Sequence, residues 1–239
     1  MTSQLLRVDK ASKAYGATIA LDSVDLDVEP GSIVGLIGEN GCGKSTFLKA
    51  VAGLVRLDSG EVRVCGELVV GPRSKSMVSY LPDRSALPAR FTVESCMRVF
   101  GQVYADFDEA KARAILKNFG IEPTRRLHEL SKGQQEKAHI ALAMARDARL
   151  FLLDEPISGV DPLSREQTLR EVIAALGDDC SLLITSHMVQ DLELIVDRAL
   201  LMRRGQIVDD VCPDELREQT GDGLVERLRK VYGYERTRR

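Results

Sequence analysis

Gly38-Glu39-Asn40-Gly41-Cys42-Gly43-Lys44-Ser45-Thr46 fits the pattern G-x-x-x-x-G-K-[ST] and follows the apolar run Ile33-Val34-Gly35-Leu36-Ile37. The run has the length and composition of a buried strand, and a helix is predicted to begin near Lys44. Glycines let the chain turn tightly, so successive backbone N–H groups can face a polyphosphate. The N-terminal end of the following helix adds its partial positive charge to the same place. Gly38, Asn40, Gly41, Cys42, Gly43, Lys44, Ser45 and Thr46 are therefore candidate ligands of a nucleoside triphosphate. Lys44 is placed to reach the β- and γ-phosphates, and the Ser45 hydroxyl is placed to hold Mg²⁺.

Outward from this loop the chain alternates between two regimes. Leu5 to Val28 suggests strands about a turn at Tyr15-Gly16, Asp58-Ser59-Gly60 a turn, and Glu61–Val64 with Leu68–Val70 a hairpin. After Leu81-Pro82 the period becomes helical from an N-cap at Thr92 to about Arg146, broken at Gly120–Pro123 and Ser131–Gly133. Strands return at Leu150-Phe151-Leu152-Leu153 and Ser181-Leu182-Leu183-Ile184-Thr185, with a helix between them, and a charged amphipathic helix follows Val211. Strands alternating with helices imply an α/β fold with a mainly parallel sheet. The expected division is an α/β core in 1–84 and 148–211, a helical lobe in 85–147, and a C-terminal helix and tail in 212–239.

Composition narrows the class. With 239 residues, 44% hydrophobic and 29% charged, the chain can bury a full core. A net charge of −3 lacks the basic footprint of a nucleic-acid binder. No apolar stretch approaches the roughly 18 residues of a membrane span, and Met1 to Lys10 does not have the form of a signal peptide. Five scattered cysteines without C-x-x-C spacing fit a reducing cytosol rather than a disulfide or zinc framework.

The strand Leu150–Leu153 ends in Asp154-Glu155. Asp154 at that strand edge suits Mg²⁺, directly or through water, and Glu155 suits a base for attacking water. His187 follows the next strand, where parallel sheets bind their ligands. His128 and His139 fall in the helical stretch and are expected to be solvated or capping. Cys42 stands near a helix N-terminus, which can lower a thiol pKa and make activity sensitive to alkylation; the alternative is a small side chain filling a permissive position.

Leu130-Ser131-Lys132-Gly133-Gln134 resembles the signature motif of the ABC ATPases, LSGGQ, with Lys132 in place of the first glycine. The order of the other elements matches as well: Tyr15 as the adenine-stacking aromatic, Walker A at Gly38–Thr46, the Q-loop near Asp83, Walker B with Glu155, a D-loop at Ser158-Gly159-Val160-Asp161, and the switch histidine His187. The resemblance covers about Leu5 to Val208. It implies a P-loop NTPase core with an N-terminal antiparallel β subdomain and an inserted helical lobe. It also implies ATP and Mg²⁺ as ligands, with Ser45, Asp83 and Asp154 toward the metal and Glu155 and His187 in catalysis.

In that family, Ser131, Gly133 and Gln134 meet the nucleotide of a second ATPase subunit across a head-to-tail dimer, homomeric or heteromeric. Two positions depart from the pattern: Asp83 replaces the usual Q-loop glutamine, and Lys132 brings a cation toward the opposing γ-phosphate. The segment Tyr80–Leu87 is similar to that of bacterial export-type ATPases. The implied protein is a cytoplasmic subunit, peripheral on the inner face of the membrane. It would energise a separately encoded permease, with Leu87, Phe91 and Phe100 either facing that permease or packing the lobe. An import-type ATPase and a soluble iron–sulfur assembly ATPase are the alternatives. A GTPase is disfavoured by the lack of an N-K-x-D motif.

Overall fold

The structure is a computed structural model that describes residues 4–84 and 87–233. Strands β1 (Leu6–Tyr15) and β2 (Thr18–Val28) pair antiparallel, Tyr15 opposite Thr18. Leu21, Val24, Leu26 and Val28 of β2 are buried between exposed neighbours, the alternation of a half-buried sheet. Strand β3 (Ile33–Ile37) then leads through the glycine loop into helix α1 (Lys44–Val51). Strands β4 (Ser59–Val64) and β5 (Glu67–Leu68) complete an antiparallel sheet of order β2-β1-β4-β5. Ser59 and Gly60, expected in a turn, open β4 instead, beside an irregular step in its pairing with β1. Val69 and Val70 fall outside β5.

Helix α2 (Pro72–Ser76) and strand β6 (Val78–Leu81) lead to the helical segment. That segment holds α3 (Val93–Val103), α4 (Glu109–Asn118), a 3-10 turn at Leu127–Glu129 and α5 (Lys132–Met144). Thr92 caps α3 as expected, accepting from Ser95 N. The chain also leaves the helix at Tyr104–Asp108, a break the helical period concealed, and Asp108 caps α4 by accepting from Lys111 N.

The remaining elements are β7 (Leu150–Asp154), α6 (Pro162–Ala174), β8 (Ser181–Ser186), α7 (Val189–Leu192), β9 (Arg198–Arg203) and β10 (Gln206–Val211). After them come two helices, α8 (Pro213–Thr220) and α9 (Leu224–Tyr232), rather than the single helix expected. Gly221, in the left-handed region at φ 72°, ends α8. Helix α9 is docked on the fold: Leu224 and Tyr232 are buried, Arg227 pairs with Asp209, and Lys230 pairs with Asp222. Arg236, Arg238 and Arg239 lie outside the described residues.

The second sheet runs β10-β9-β3-β8-β7-β6, parallel except for the β9–β10 edge. Its central strands are apolar on both faces, and the two-residue period sorts their side chains into two cores. Leu150 and Leu152 of β7, Leu183 of β8 and Leu200 of β9 join α1 and the antiparallel sheet. Phe151, Leu153, Ile184 and Leu201 join the other core, which continues without interruption into Met97, Leu116 and Leu142 of the helical segment.

Candidate active site

Strands β3, β7 and β8 are neighbours running in one direction, so Ile37, Asp154 and Ser186 end at one edge of the sheet. Sheets of this kind bind ligands at that edge. A cleft of about 380 Å³ opens there, lined by Asn40, Gly41, Gly43, Lys44, Ser45 and Thr46 of the glycine loop and by Asp83, Glu155 and His187. Nine residues singled out in the sequence thus converge although they span positions 40 to 187. Ser158 of the expected D-loop also lines the cleft, as do Thr18 and Ala20, which nothing in their local sequence distinguished.

The loop is pressed against β2. Gly43, at φ 118°, caps α1, and a Cβ added there would lie 2.3 Å from Ala20 O, so no other residue fits. Lys44 is 6% exposed, and its ammonium donates to Gly38 O at 2.7 Å and Glu39 O at 3.2 Å. It also lies 3.7 Å from Glu155 Oε1, a buried oxygen with no hydrogen bond, which leaves that charge pair as its compensation.

Glu155 adopts φ 50°, a left-handed conformation uncommon outside glycine. Thr185 holds it there: Glu155 N donates to Thr185 Oγ1 at 2.8 Å, and Thr185 Oγ1 donates to Asp154 Oδ1 at 2.9 Å. Glu155 Oε2 accepts from His187 N at 3.3 Å and lies 2.8 Å from His187 Nδ1. One carboxylate therefore connects the imidazole and the ammonium. Asp154 is 1% exposed and does not line the cleft; its second oxygen accepts from Tyr80 OH at 3.4 Å. Burial and that carboxylate push the Tyr80 phenol well above its usual range.

Among the described residues no three His, Cys, Asp or Glu side chains gather as a metal cluster. The oxygens of Ser45, Asp83 and Asp154 are hard donors of the kind Mg²⁺ takes alongside phosphate and water.

Cys42 departs from the activated-thiol reading. Its thiol is buried, and burial raises its pKa although it stands beside a helix N-terminus. A protonated, covered thiol resists alkylation. His139 departs too: it is half-buried, its Nε2 has no hydrogen bond, and burial lowers its pKa to about 4. His128 is exposed with Nδ1 3.0 Å from Ala89 O, as expected of a surface side chain.

Ser131, Gly133 and Gln134 do not line the cleft. Ser131 Oγ accepts from Gln134 N at 3.2 Å while Gln134 Oε1 accepts from Ser131 N at 3.1 Å, a capping box that opens the N-terminus of α5. Lys132 lies against Gly159, with Nζ 3.9 Å from Glu136. Glu136, which sequence reading passed over, accepts from Gly159 N at 2.7 and 2.9 Å and so ties α5 to the loop after β7. Asp161 at the end of that loop caps α6 by accepting from Ser164 N. Tyr15, 51% exposed at the end of β1, stands outside the cleft lining with Lys13 Nζ 5.5 Å from its ring centroid.

A family model described as ABC transporter matches residues 21–158. The lipopolysaccharide export system ATP-binding protein LptB of Haemophilus influenzae is 29% identical over 238 residues, 95% of this chain and 96% of its own. The phosphonates import ATP-binding protein PhnC 2 of Haloquadratum walsbyi is 32% identical over 238 residues, 95% of this chain and 84% of its own. A solved ATP-binding subunit of an ABC transporter matches with a TM-score of 0.84 at 27% identity, covering 95% of this chain and 99% of that one.

Proposed function

The chain belongs to the ABC transporter family, as an ATP-binding, ATP-hydrolysing protein that energises transport, and from that premise we propose how its cleft divides the labour. The backbone N–H groups of Gly41, Cys42 and Gly43 and the first turn of α1 receive the β- and γ-phosphates, with Lys44 supplying the fixed positive charge. Glu155 orients and polarises the attacking water. In the imidazolium form His187 donates from Nδ1 to Glu155 and from Nε2 to the γ-phosphate, where charge develops. The observation that carries this reading is the single carboxylate held between His187 and Lys44 at the mouth of the phosphate loop.

Ser45, Asp83 and Asp154 are the residues that would hold Mg²⁺, which when bound neutralises phosphate charge. Tyr15 stacks on adenine from the rim of the cleft. Ser131, Gly133 and Gln134, outside the cleft and at a free helix N-terminus, serve the nucleotide of a second subunit, and Lys132 adds a cation to that face.

Among the described residues no helix is long and apolar enough to cross a membrane. Members of this family serve a membrane-spanning permease, and the same is proposed for this chain. We place that partner, a separately encoded permease, over the cavity of about 330 Å³ lined by Tyr80, Pro82, Leu87, Phe100 and Val103. Leu87, Phe91 and Phe100 all pack against the helical core, and of the three Phe91 does not line this cavity. Export is the direction we favour, on the acid at position 83 and on the end-to-end match to an export system's ATPase. The match to an import ATPase supports import as the second reading.

Mild affinity purification of the chain from native membranes, followed by mass spectrometry, tests the assembly. A co-purifying polytopic membrane protein without an extracytoplasmic binding protein is expected. A binding protein in the complex would turn the direction to import, and a soluble scaffold alone would overturn the permease.

A further inference from the structure

We propose that Tyr232, the last residue of α9, is a positioning residue for the phosphate loop, making the C-terminal helix a latch on the nucleotide site. Tyr232 is 8% exposed, and its hydroxyl donates to Met202 O of β9. The same oxygen sits against the first residue of the loop, 3.2 Å from where a Cβ on Gly38 would stand. Burial pushes the phenol pKa up to about 12, so the donor proton is retained across the physiological range.

The Glu39 N–H belongs to the same rigid peptide plane as the Gly38 carbonyl. That carbonyl accepts from Lys44 Nζ at 2.7 Å. The plane is therefore flanked on the α9 side by the phenol packed against Gly38 and held on the cleft side by the ammonium. Rotating it would swing the carbonyl that orients Lys44. The approach is close: a Cβ added to Gly38 would lie 3.2 Å from the Tyr232 oxygen and 2.4 Å from Met202 O.

The rest of α9 is anchored well enough to hold the phenol in place. Leu224 is fully buried and its N–H donates to Glu193 Oε1 at 3.1 Å. Arg227 forks onto Asp209 of β10 at 2.6 and 3.1 Å, and the Arg203 guanidinium stands 5.4 Å from the Tyr232 ring centroid. A displacement of α9 is thereby transmitted to the loop without any contact to the nucleotide.

The inference rests on the reading of this loop as the ATP site, and the experiment separates the two. In the full chain, ATP KM and kcat and the Kd for a fluorescent ATP analogue are measured for Tyr232→Phe, Lys44→Ala and Leu116→Ala. Leu116→Ala empties a buried position in the helical core and destabilises without touching the loop or α9. Loss of the hydroxyl that ties α9 to Met202 O beside Gly38 predicts that Tyr232→Phe raises KM and Kd about three- to tenfold with kcat within about twofold. Leu116→Ala is expected to lower Tm more and leave both constants unchanged. Unchanged KM and Kd in Tyr232→Phe, with Lys44→Ala abolishing binding, would overturn the latch alone. Full ATP binding by Lys44→Ala would overturn the reading of the loop and the latch together.

Discussion

At the residue scale, Thr185 decides where Glu155 points. Its hydroxyl accepts from Glu155 N and donates to Asp154, and it is fully buried. Thr185→Val keeps the shape and orphans both groups, so unfolding should be easier by about 1–3 kcal/mol. With the left-handed backbone at Glu155 released, we expect kcat to fall about tenfold or more and ATP KM to change little. Thr185→Ser should restore both, and steady-state kinetics with thermal unfolding checks the set. The acids and His187 were legible in the sequence because a strand followed by polar residues marks a sheet edge. Thr185 was not, because its role depends on the parallel register that sets Asp154 beside it, a pairing 31 residues apart. The activated-thiol reading of Cys42 failed for the converse reason: a helix N-terminus is local and visible in the sequence, whereas burial of the thiol is neither.

At the element scale, one arginine adds a polar clamp to the apolar core that joins the helical segment to the sheet. Arg146, 5% exposed, forks onto Asp106 at 2.7–3.2 Å, donates to Val78 O at 3.1 Å and stacks 4.0 Å from the Tyr104 ring centroid. It thus binds the α3–α4 connection to β6. Arg146→Ala leaves Asp106 without its partner and should cost about 3–5 kcal/mol, measured by urea unfolding. Arg146→Lys should recover only part of this, since an ammonium cannot reproduce the planar fork. The end of α3 was invisible to periodicity because Phe100, Tyr104 and Phe107 continue an apolar stripe. Only the cap at Asp108 marks where α4 begins, and the tail was divided by Gly221 in the same unannounced way.

At the scale of the whole molecule, the parallel sheet with a core on each face was legible from continuous apolar strands. The junction of the helical segment with one of those cores was not, because it depends on which face each helix buries. His139 lies at that junction, lining the cavity beside Phe100 and Leu142. Its pKa is about 4 in the fold, below the ordinary 6.5. The unfolded chain therefore binds a proton first as pH falls below about 6.5, so the stability of the neutral form is lost progressively toward pH 4. From pH 7 to pH 5 the wild type should lose about 2 kcal/mol more than His139→Leu, measured by denaturant unfolding at each pH. The claim that unites the scales is that ATP draws two ATPase subunits together about a cleft in which Glu155 activates water. Sedimentation and turnover of Glu155→Gln with ATP test it most directly. We predict turnover reduced at least about 100-fold, ATP retained and a dimer accumulating; turnover within a few fold of wild type would contradict the account.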